Sequence, residues 1–136
     1  MREILFRGKR IDNGDWVHGI YYTMYSLDEE KLVYAIDMCG PHGYTVIVEP
    51  ESIGQYIGVN DKEGNKIFEG DILMDTGFKK DNTDENLHYE IKWDEENLKF
   101  EAYCTTSCMK MGFMDVDAQA CVVVGNIYEN PELIKV

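Results

Sequence analysis

Positive charge is scarce in this sequence: 13 lysines and arginines stand against 26 aspartates and glutamates, for a formal net charge of -13. Such an excess repels phosphate backbones across a few Debye lengths, which disfavours direct nucleic-acid binding. Long apolar runs are missing too. The longest is a few residues, where roughly 20 are needed to cross a bilayer, so no membrane span is expected. Met1-Arg2-Glu3 leads straight into a patterned segment and not into a charged-then-apolar leader, which points to an intracellular home. Glycine-rich phosphate cradles of the GxxxxGK(S/T) or GxGxxG type do not occur, which argues against nucleotide enzymes. Histidine is sparse. His18 lies within a strand pattern, His42 in a Gly-Pro turn and His88 beside a polar stretch, and none has a nucleophile and an orienting group in recognisable array. Carboxylates are too abundant for any spacing to select a catalytic pair. The expectation is a protein without a cofactor and without an enzymatic role.

What the chain does have is hydrophobic content of 44% over 136 residues, enough for a core without metals or cross-links. One domain, 1–136, is the default, with a β-meander over 1–52 and a barrel over 53–136. Trp16 to Tyr25 is aromatic and β-branched and reads as a strand. Asn13-Gly14-Asp15 before it reads as a two-residue hairpin turn, pairing it with Ile4 to Arg7. Lys31 to Asp37 and Tyr44 to Glu49 are further strands, separated by the breakers Gly40-Pro41-His42-Gly43. From Gln55 the strands shorten: Gln55 to Val59, Lys66 to Phe68 and Ile72 to Met74, divided by turns at 60–65 and 69–71. Short strands turned this often suggest a small barrel. Residues 75–87 are almost wholly polar and read as a loop. Tyr89 to Trp93 and Lys99 to Tyr103 form a hairpin across Asp94-Glu95-Glu96-Asn97. Residues 104–120 read as irregular or short helical. Cys121 to Val124 has the pattern of a buried strand broken by Gly125, and Asn130-Pro131-Glu132 opens a closing helical turn.

Three stretches together resemble the YopX family. The first is Phe6-Arg7-Gly8-Lys9-Arg10 with Asn13-Gly14-Asp15-Trp16-Val17-His18-Gly19. The second and most specific runs from Gly54 to Ile72 and is similar to the pattern QYTGLxDKNGKxIYEGDIV, with Ile57 where Thr is commoner. The third is Val124-Gly125-Asn126-Ile127-Tyr128-Glu129-Asn130-Pro131-Glu132-Leu133. The resemblance implies a small phage or prophage protein, mainly β, with an N-terminal β-meander packed on a small SH3-like, partly open barrel and a short C-terminal helical turn. It also implies self-association and no established enzymatic role.

The glycines of the second stretch, Gly58, Gly64 and Gly70, fall where short strands must turn or let another backbone approach. Glu69 and Asp71 flank one of them, and carboxylates in turns accept hydrogen bonds from nearby backbone N–H groups. The functional alternative makes Asp61, Glu69 and Asp71 binding residues on the barrel rim. Cys39 with His42, and Cys104 with Cys108, have spacings that a tetrahedral zinc site could use; free thiols filling apolar gaps, or a regulatory disulfide, are the other readings. Nine tyrosines and two tryptophans are more aromatic surface than one small core hides, which points to a protein-interaction module. The expected partners are copies of itself and a host or phage protein. The alternative is an acidic decoy that occupies a host nucleic-acid-binding protein.

Overall fold

The computed structural model describes residues 2–38, 43–79, 84–105, 110–112 and 118–134. The structure is mainly β, with two antiparallel sheets that do not close into a full barrel and a short C-terminal 3-10 turn. The chain divides into two compact units, Met1–Tyr56 and Ile57–Val136. Among the described residues no helix is long and apolar enough to cross a membrane.

The first unit contains β1 (Phe6–Lys9), β2 (Trp16–Ser26), β3 (Lys31–Asp37) and β4 (Thr45–Val48), then a 3-10 turn at Pro50–Ser52 that leads into β5 (Gly54–Asn60). The strands lie in the order β4-β3-β2-β1-β5. The boundaries of β3 match the hydrophobic pattern, and β2 and β4 agree within a residue. The first hairpin differs from expectation. Its loop runs from Arg10 to Asp15, closed by the Arg10 amide on the Asp15 carbonyl (2.8 Å) and the Gly14 amide on the Arg10 carbonyl (3.1 Å), and Arg10 also forms an antiparallel bridge with Val48 of β4. Two backbone bonds flank that bridge, from the Glu49 amide to the Lys9 carbonyl (2.9 Å) and from the Ile11 amide to the Ile47 carbonyl (3.2 Å). Gly14 closes the longer loop with φ of 76°.

Val17, Ile36, Val46 and Val48 form the core of this unit, with Phe6, Tyr21, Tyr34, Met38 and Ile53 packed around them. The rings of Tyr21 and Tyr34 lie parallel at 6.4 Å, and Phe6 tilts against Tyr21 at 5.6 Å. Gly19 is required where β2 meets β3: a Cβ there would come within 2.0 Å of the Asp37 carbonyl oxygen. β2 buries alternate residues only at its start; from Tyr22 to Tyr25 every residue is exposed although each still pairs with β3. The β2–β3 hairpin therefore runs on past the core that its first half covers.

In the second unit the end of β5 pairs with β6 (Lys66–Phe68), and a sheet is built from β7 (Asp71–Lys79), β8 (Asn86–Asp94), β9 (Lys99–Cys104), β10 (Lys110–Gly112) and β11 (Cys121–Asn126) in the order β10-β9-β8-β7-β11. Ile67, Leu73, Tyr89, Ile91, Ala102, Cys104 and Cys121 fill the core. Three expectations change here. The polar stretch from 75 to 87 is not wholly loop, since β7 continues to Lys79 and β8 begins at Asn86. Hydrogen bonds carry that extension in place of an apolar pattern: the Thr76 hydroxyl donates to the Ala120 carbonyl, and the Gly77 amide donates to Asp75. Residues 110–112 form a strand within the region read as irregular or helical, while Ala118–Ala120 is a 3-10 turn. Gly125 does not end β11. The register shifts between Val123 and Gly125, so a bulge at Val124 lets the strand run on to Asn126.

Candidate functional site

The central motif is a chain of tight turns, each held by a strand-end carboxylate or amide. Gly58, Gly64 and Gly70 all have positive φ, at 96°, 85° and 91°. A Cβ on Gly58 or Gly64 would meet nothing within 4 Å, so these glycines answer a positive-φ backbone, Gly58 inside β5 and Gly64 in the 61–65 turn, and not a close approach. Asp61, at 2% exposure, accepts at Oδ1 from the amides of Glu63 (2.9 Å) and Asn65 (2.8 Å). Its Oδ2 accepts from the amide of Val123 in β11 (2.9 Å) and from Asn65 Nδ2. Burial alone would raise the pKa of this carboxyl, but the bonds from Val123, Asn65 and Glu63 outweigh it and hold the group below its usual value. Asp71 is equally buried and accepts from the Phe68 amide at 2.8 Å. Glu69 is half-buried beside it. Asp61 and Asp71 thus direct their oxygens to different backbone segments, one to the 63–65 turn and β11, the other to the end of β6.

Two more positions repeat the device. Asp94 accepts from the amides of Glu96 and Asn97 at the β8–β9 turn, and Asn126 accepts from those of Tyr128 and Glu129 after β11. Of the zinc candidates, Cys39, His42 and Cys108 lie outside the described residues, and Cys104 is buried in the second unit's core. Among the described residues no group of three or more histidines, cysteines or acids could hold a metal ion. His18 is exposed on β2 opposite Arg7, and His88 Nδ1 lies 2.9 Å from the Asn86 carbonyl oxygen.

The YopX protein family model matches residues 5–135. The chain belongs to the YopX family. The YopX motif running from Gly54 to Ile72 is therefore seen here as a set of capped turns. A search of the curated proteins finds no match. Among solved structures, the chain is similar to "Crystal structure of protein EF1440 from Enterococcus faecalis", with a TM-score of 0.58 and 22% identity, over 99% of this chain and 100% of that one. At that identity the likeness concerns the fold.

A different feature was not anticipated from the sequence. Within the first unit of this YopX protein, the end of β2, the β2–β3 turn, β3, β4 and the Arg10–Asp12 segment enclose a concavity of about 990 Å³. Its walls carry exposed apolar side chains: Tyr25 at 58%, Leu27 at 83% and Leu32 at 57%, with Ile11 and Met24 also exposed. Arg10 is fixed at its side by Asp12, whose Oδ1 and Oδ2 accept from Nε (2.9 Å) and Nη2 (2.7 Å), and by the Tyr44 hydroxyl at 3.2 Å from Nη1. The signal in the sequence was the loss of alternation in Ile20-Tyr21-Tyr22-Thr23-Met24-Tyr25, which leaves apolar groups on both faces of one hairpin arm.

Proposed function

We propose that this chain is a phage-derived, non-enzymatic interaction module that self-associates and binds another protein in the bacterial cytoplasm. The observation that supports this most is the apolar surface of the β2–β3 hairpin. Ile20, Tyr22 and Met24 follow one another on a single face of β2 and are 55%, 37% and 41% exposed, although the strand is paired to β3 along this whole stretch. Single exposed apolar side chains are ordinary, but a contiguous set on a rigid sheet marks a surface used for association. The deeper carboxylates, Asp61 and Asp71, have their oxygens engaged by backbone amides, which suits a structural part better than binding on a rim.

Sedimentation velocity on the intact chain tests the reading. Self-association should appear as a concentration-dependent or fixed oligomer that Ile20→Lys disperses without loss of the β-sheet circular dichroism signal. A strict monomer over the accessible concentration range removes the reading.

A further inference from the structure

We propose that the concavity of the first unit is a docking groove for a basic and apolar peptide segment of a partner protein. This deepens the interaction-module reading and rests on it. The walls supply the apolar half of the recognition: Tyr25 and Leu32 lie opposite each other on the paired strands, and Leu27 follows in the turn. These side chains stand in water on two strands already paired with each other from Ile20–Asp37 to Ser26–Lys31, so a bound segment would gain apolar burial on a hairpin that is already formed.

Charge selects the occupant. The two basic residues of the lining are already matched, Arg10 to Asp12 at 2.7 Å and Lys31 to Glu29 at 3.3 Å. Asp28 is the one lining acid that faces no basic partner among the described residues, and outside the lining Glu30, Glu49 and Glu51 are exposed next to Glu29 and Pro50. An apolar trough with exposed acids at the hairpin turn and around Pro50, on a chain of net charge -13, favours large apolar side chains flanked by lysine or arginine. The same field disfavours a second copy of this acidic chain in the trough.

Fluorescence anisotropy with the full chain and a short labelled synthetic peptide alternating lysine with leucine and tyrosine tests this. The peptide should bind. Replacing its lysines by glutamate, or its leucines and tyrosines by serine, should weaken binding about tenfold or more, since both halves of the recognition are needed. Leu32→Asp and, separately, Leu27→Asp should do the same, while Leu98→Asp on the second unit's exposed surface should not. Since Leu27 is 83% exposed, that variant is expected to fold whatever Leu32→Asp does. Equal binding of the lysine–serine peptide, indifference to both groove variants, or no binding at all would overturn the proposal. So would an oligomer that Leu27→Asp dissociates while the peptide is ignored, because the groove would then hold a second copy. A strict monomer that still takes the peptide in this groove ends the self-association reading and leaves the docking groove in place.

Discussion

The two units solve the same problem, how to end short strands, with different materials. In the second unit the turn side chains are buried: Asp61, Asp71, Asp94 and Asn126 are each at most 9% exposed and bond to backbone amides. In the first, the Asp15 amide donates to Asn13 and the Glu29 amide to Ser26 in solvent, while Ser52 is the buried counterpart, accepting from the Lys9 amide at 2.8 Å. The cores differ in the same sense. The second unit completely buries Ile67, Leu73, Ile91 and Cys121, whereas the first leaves much of a long aromatic hairpin outside its core. Apolar content in the second unit is largely buried, and in the first a good share stays exposed on the β2–β3 hairpin.

Core substitution should divide the units most sharply. Ile91→Ala removes a fully buried side chain and should cost about 3 to 4 kcal/mol in urea unfolding. Ile20→Ala, at 55% exposure, should change stability by no more than about 0.5 kcal/mol while weakening self-association. Equal costs would erase the contrast. Next in size is Asp61→Ala, which strands the amides of Glu63, Asn65 and Val123 and should cost about 2 to 3 kcal/mol; Asn13→Ala, whose bond is exposed, should cost about 0.5.

The pH dependence follows from the same carboxylate. The folded-state pKa of Asp61 is lowered, so its contribution is present above the unfolded value near 3.8 and disappears as pH falls through the folded value. Acid titration of unfolding should therefore lose slope below that point in Asp61→Asn relative to the parent; an unchanged slope would place the acid sensitivity elsewhere. Below Asp61→Ala in size comes Gly64→Ala. Space is open there, and only the positive φ resists, for a cost of about 1 kcal/mol.

Strand order along the chain was legible because alternation and turn chemistry agree locally. Lys31 to Asp37 could be read to the residue, and the positive φ of Gly64 and Gly70 follows from their setting among turn formers. What escaped were features fixed by distant partners. The strand character of 75–79 draws on Ala120 and β11, and the bridge from Arg10 to Val48 joins residues 38 apart, which no local pattern around Asn13-Gly14 reports. The groove was illegible for the same reason. Its walls come from Arg10, the 25–32 hairpin and β4, and its apolar residues look singly like ordinary strand positions. At Asp61 the turn was visible, but the bond to Val123, 62 residues away, was not.

The bridge between Arg10 and Val48 bears on how copies of this chain can meet. β4 is the outermost strand of its sheet, and an open rim of amides and carbonyls is a template on which a foreign strand can grow. Lys9 and Ile11 occupy that rim at Ile47 and Glu49. At this border the protein's own backbone already fills the place that a foreign strand would need.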